Sequence, residues 1–137
     1  MALLRTSLLN HLPEPAQGLE AHFDWLLETA PSDPSQRAVP TWRVGKRIDQ
    51  MAPGAKSTLQ RIGLHRGAWL ELEEPTELSG GRGRVLPCNQ GRIQASDFSK
   101  NELWTVTILW NDDSEGHYLI QDPDLESGLV TRLANPA

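Results

Sequence analysis

The stretch ELWTVTILW, residues 102–110, sets Trp104, Val106, Ile108 and Trp110 on one side of an extended chain and Leu103, Thr105, Thr107 and Leu109 on the other. Successive side chains of a strand point to opposite faces, and β-branched and aromatic residues suit a pleated, half-buried surface. A strand with one face in a core is therefore predicted here. It runs into NDDSEG, a turn by composition, and then into HYLIQD, so a hairpin is predicted over 102–121. Comparable strand patterns are predicted at 5–12, 21–28, 40–45, 68–74, 84–88, 91–95 and 128–133, with breaks at clusters such as PEPAQG, APSDPSQ, ELSGGRG and NQG. Only 47–63 could hold a helical turn, and Pro53 with Gly54 splits it. Eight or nine short strands with so little helix predict an all-β fold. Its expected form is a small, closed or nearly closed antiparallel β-barrel of about eight strands, with at most a short helical segment.

A chain of 137 residues without repeats or linkers is the size of one domain, taken as 1–137. Its net charge of −5 tells against extended duplex binding, because a protein that wraps DNA needs a basic face to displace counterions. Any contact with nucleic acid is expected to be small and local. Cys88 is the only cysteine, which removes intrachain disulfides and zinc knuckles and makes a reducing, cytoplasmic setting the expectation. The apolar run before Pro13 is short for a secretory signal, and no run of about 18 apolar residues is present to span a bilayer. A monomer without membrane contact is expected.

Within AHFDWLLE, residues 21–28, strand alternation puts His22, Asp24, Leu26 and Glu28 on one face and Phe23, Trp25 and Leu27 on the other. The aromatic side is the natural core face, which leaves the histidine and aspartate on a wall that is exposed or lines a cavity. His11 ends the preceding predicted strand and can neighbour this segment across a hairpin, while His65 sits in GLHRGAWLELEE. Two imidazoles and a carboxylate from separate strands suit Mn²⁺, Fe²⁺ or Zn²⁺, with open positions for water or substrate. An isolated H-x-D pair is more commonly a half-exposed polar surface.

HFDWLLE resembles the H-Y-D-F-R-L-E segment of the 3′-phosphoesterase domain of bacterial DNA ligase D. Further likenesses fall in that family's order: LLNHLPEP resembles the strand ending in a metal-binding histidine, TWRVGK resembles W-A-V-P-K, LHRGAWLELEEP resembles D-H-P-L-D-Y-x-x-F-E-G, and SGGRGRV resembles a following glycine-rich turn. Together they cover roughly residues 5 to 92. The resemblance implies a β-barrel holding one Mn²⁺, or another divalent metal such as Zn²⁺, that hydrolyses phosphate at nucleic-acid 3′ ends or in a smaller phosphate ester. It implies His11, Asp24 and His65 as metal ligands, His22 as the histidine at the scissile phosphate, and Lys46 near the site. Arg43 and Arg82 are further candidates for gripping phosphate, since guanidinium groups match it bidentately. The family's arginine two residues after the aspartate is Leu26 here, and Arg82 is the candidate replacement.

Other features carry blander readings. SGGRGRV lacks the K-[S/T] of a phosphate loop and does not open a helix, so its glycines are expected to make a tight turn or bulge. His117 is expected at an exposed strand end, Glu73 facing solvent or behind a ligand histidine, and Trp42, Trp69, Trp104 and Trp110 in the core or at the barrel rim. The competing functional expectation is a catalytically impaired barrel that keeps its pocket as a binding or interaction module.

Overall fold

The computed structural model describes residues 3–14, 18 and 20–135. Nine strands form one antiparallel sheet: β1 (Arg5–Leu12), β2 (His22–Leu27), β3 (Arg37–Val44), β4 (Lys56–Arg66), β5 (Thr76–Glu77), β6 (Arg84–Asp97), β7 (Leu103–Trp110), β8 (Glu115–Gln121) and β9 (Ser127–Leu133). Their order is β1-β2-β3-β4-β9-β8-β7-β6-β5, and an added β1–β6 pairing joins eight of them into a barrel-like ring, with β5 outside it on β6. The all-β, nearly closed architecture read from alternation is thus observed. No helix among the described residues is long and apolar enough to cross a membrane.

The inward face carries most of the core. Leu8, Trp25, Trp42, Ile108, Trp110, Tyr118 and Val130 meet inside the ring. The polar atoms of these large rings are satisfied, as buried aromatics require. Trp25 Nε1 donates to Thr6 Oγ1 at 2.8 Å, Trp42 Nε1 to the Pro123 carbonyl at 3.0 Å, and Trp110 Nε1 to the Tyr118 hydroxyl at 3.1 Å. A second apolar cluster, Leu9, Leu26, Val39, Leu70 and Val85, lies on the other face of β1, β2, β3 and β6. It exists because residues 67–83 fold back over the outside of the ring.

That covering segment corrects the sequence expectation for 68–74. AWLELEE alternates, yet Gly67–Glu71 forms a 3₁₀ turn. The compact turn lays Leu70, with Trp69 and Leu72 beside it, on the outer cluster, and an extended strand would have turned alternate residues away. Gly67 is required at its start, since a Cβ there would stand 2.5 Å from the Asp33 carbonyl oxygen.

Three other boundaries differ. The expected helical turn in 47–63 shrinks to a 3₁₀ turn at Ile48–Gln50, and Lys56–Arg66 is a strand outside the predicted set. Its inward residues are Ser57 and Leu59, too polar a pair to stand out. The strands expected at 84–88 and 91–95 are one strand, Arg84–Asp97. Gly91 in the supposed NQG turn is needed because a Cβ would meet Leu109 O at 2.8 Å and Ile108 Cγ2 at 2.9 Å. Pro87 is accommodated where the β1–β6 register shifts, as prolines within sheets usually are. β3 starts at Arg37 rather than 40.

Candidate metal centre

The β1–β2 hairpin register places His11 directly opposite His22 and Leu9 opposite Asp24, while Asp24 is opposite Arg43 across β2–β3. Cross-strand partners share a face, so His11, His22, Asp24 and Arg43 stand on the outer wall of the ring, above Leu9 and Leu26. The site lies outside the closed sheet rather than within it. Trp25 and Leu27 occupy the inward face of the same strand.

His11 Nδ1 and His22 Nε2 are 3.1 Å apart, and Asp24 Oδ1 is 3.2 Å from His22 Nε2. The other nitrogen of each ring faces a backbone carbonyl: His11 Nε2 faces Arg82 O and His22 Nδ1 faces Glu20 O, both at 3.1 Å. A carbonyl can only accept, so each of those nitrogens carries a proton. In the neutral rings the remaining lone pairs then point at each other beside a carboxylate. Asp24 Oδ1 is itself buried and finds no aligned hydrogen-bond donor. Three electron-rich groups at this separation repel one another unless a positive charge sits among them.

His11, His22 and Asp24 could hold a metal ion. Ligand bonds of about 2.0–2.2 Å put adjacent donors about 3.0–3.5 Å apart in octahedral or tetrahedral sites, a range that holds the 3.1 and 3.2 Å separations; the third, His11 Nδ1 to Asp24 Oδ2, is wider at 4.0 Å. The carbonyl contacts of the outer nitrogens are the supporting hydrogen bonds that orient metal-binding histidines. One of them comes from the glycine loop, where Gly80, Gly81 and Gly83 all have positive φ. These glycines shape a tight turn whose Arg82 carbonyl reaches His11.

His11 and Asp24 open onto a cavity of about 570 Å³ between the ring wall and the covering segment. His65 and Arg82 also line it, and so does Arg43, whose Nε is buried without a partner. His65 stands apart from the three-residue group, with its Nδ1 3.0 Å from Gly63 O. Arg82 Nε and Nη2 are engaged with Ser79. Lys46 is exposed and donates to the Lys56 carbonyl at 3.0 Å, outside the cavity wall. Glu73 is exposed. Leu26 is fully buried in the outer cluster under Leu70, so its position has no room for a solvated guanidinium. Trp69 lines the cavity, whereas Trp42, Trp104 and Trp110 belong to the interior.

His117 is not at an exposed strand end. It is half-buried, 2.9 Å from Thr107 Oγ1 and 3.0 Å from Glu115. Sequence reasoning did not reach Arg37 and Arg66, which also line the cavity; their strand ends lay outside the predicted boundaries. No protein-family model matches the chain, and no curated protein matches it significantly.

Proposed function

We propose that the protein is a divalent-metal-dependent phosphoesterase of the DNA ligase D 3′-phosphoesterase type. One observation supports this reading: His11, His22 and Asp24, whose ligand atoms lie within 4.8 Å of one another, stand together at the mouth of an arginine-lined cavity. Two imidazoles and a carboxylate suit Mn²⁺, with Zn²⁺ the main competitor.

His11, His22 and Asp24 are the proposed ligands. This exchanges the roles that the family likeness implied for His22 and His65, because His22 is in the cluster and His65 faces the cavity. When bound, the cation would polarise a phosphoryl oxygen and generate a hydroxide nucleophile from water. Arg43, which lines the cavity, grips the phosphate through its guanidinium group. His65, its Nδ1 proton given to Gly63 O, keeps Nε2 for a proton on its way to the leaving oxygen. Water adds to phosphorus, the P–O bond to the 3′ carbon's oxygen breaks, and that oxygen leaves as a hydroxyl beside inorganic phosphate.

The test is metal titration by calorimetry, followed by phosphate release from a 3′-phosphorylated oligonucleotide with Mn²⁺. The wild type is expected to bind one Mn²⁺ and turn over. His22→Ala should lose the metal, and His65→Ala should keep the metal and lose at least 100-fold in kcat. Mn²⁺ bound without turnover by the wild type would overturn the enzymatic reading and favour a binding module. No metal bound at all would overturn both.

A further inference from the structure

We infer that Arg37 and Arg66 form a second anion subsite, so that the substrate carries another phosphate beyond the reacting one, linked to it as in a nucleic-acid strand. This rests on the phosphoesterase reading for the first phosphate and extends it to the rest of the ligand.

Arg37 and Arg66 are directly opposed on β3 and β4, and both line the cavity. Like charges opposite one another in a sheet destabilise it, and an anionic counter-charge would relieve both of these exposed residues. None comes from within the described residues: the arginine ion pairs there belong to Arg5, Arg47 and Arg61. Asp24 faces the candidate metal, and Glu77, the other acidic residue of the wall, forms no ion pair. Four arginines thus surround one cavity in a chain whose net charge is −5.

Position separates the two anion sites. Arg43 pairs with Asp24 at the metal end, and Arg37 lies six residues earlier on the same strand, at most about 20 Å away at roughly 3.3 Å per residue. A register shift between Arg37 and Val39, with its extra residue on β3, shortens that path. The offset along β3 suits two linked phosphates better than one. A short single strand with its 3′-phosphate at Asp24 and Arg43 can lay an upstream phosphodiester between Arg37 and Arg66. Trp69 lines the same cavity and is the aromatic residue nearest to hand for stacking a base of that strand.

The probe is a fluorescein-labelled pentanucleotide ending in a 3′-phosphate, in deoxy and ribo forms. Its binding to the full chain is followed by anisotropy in EDTA across a salt series, which reads the subsite independently of metal and turnover. The R37Q/R66Q double variant is expected to bind at least 10-fold more weakly, with a shallower salt dependence, each lost single-strand phosphate contact lowering the slope by about 0.7. R37K/R66K should recover most of the affinity. With Mn²⁺, the glutamine variant should raise KM for the pentanucleotide at least 10-fold, with kcat and hydrolysis of p-nitrophenyl phosphate unchanged. Equal affinity and slope in wild type and glutamine variant, with both folded by circular dichroism, would overturn the subsite. So would equal wild-type affinity for a mononucleoside 3′-phosphate and the pentanucleotide. Arginine-dependent binding in a wild type that hydrolyses nothing would uphold the subsite and remove the phosphoesterase reading. Preference between the sugar forms identifies the strand as DNA or RNA.

Discussion

Gly83 combines a φ of +92° with a backbone approach to the Leu12 carbonyl that leaves no room for a Cβ. Gly83→Ala is expected to cost about 2 kcal/mol or more, from left-handed strain plus that clash; chemical denaturation measures it. Because the neighbouring Arg82 carbonyl orients His11, the same variant should also bind Mn²⁺ more weakly. Leu26 answers a question that composition left open. Leu26→Arg, which restores the residue found in the family segment, would bury an unpaired charge, and a loss on the order of 3–5 kcal/mol is expected in place of any gain in activity. Burial, only partly offset by the Trp110 hydrogen bond and nearby Arg132, pushes the Tyr118 phenol up to about 12. It is the sole tyrosine, so ultraviolet titration reads it directly. The native state then holds the phenolic proton between its ordinary pKa of about 10 and 12 while the unfolded chain releases it, and stability falls with rising pH across that window.

At the scale of strands and turns, β2 shows what periodicity can and cannot reveal. The alternation of HFDWLL assigned the inward aromatics and the outward His22 and Asp24 correctly, and the hairpin position of His11 put it beside them. It could not say that the outward wall would be roofed, because the roof comes from residues 67–83, whose own alternation suggested a strand. Lys56–Arg66 was hidden for the opposite reason: it needs little apolar surface where the neighbouring strands already bring tryptophans. The roof is tied down by charge. Arg5 donates to Glu28 Oε2 at 3.0 Å and to Glu71 at 2.7 Å, linking β1, the end of β2 and the 3₁₀ turn. Burial pushes the Glu28 carboxyl up, but hydrogen bonds from Arg5 and Ser32 outweigh it and hold the pKa below the ordinary value. The stabilisation is therefore complete above the unfolded pKa of about 4.3 and lost as pH falls through the native value. Glu28→Gln should cost about 2–3 kcal/mol at pH 7 and flatten the acid limb of a stability-versus-pH curve. In contrast, Arg37→Gln should stabilise by a few tenths of a kcal/mol by relieving the facing charges, a gain that fades in high salt.

For the molecule as a whole, closure of β1 onto β6 leaves the ring without a free edge, and the main apolar core and the candidate metal centre lie on opposite sides of the same wall. A ligand that binds only the folded state adds to its stability, by about 2.7 kcal/mol at a concentration 100 times its Kd. Mn²⁺ at that level should raise the melting temperature of the wild type and leave His22→Ala unmoved, as differential scanning fluorimetry would show. The two-sided wall also fixes how the protein can change. Side chains on β2 have only two addresses, and a single-residue deletion in its middle sends every later one to the wrong address: the aspartate would drop among the tryptophans while an indole surfaced in its place. Substitutions can retune the outward chemistry one position at a time, but the spacing of the strand itself admits no odd step.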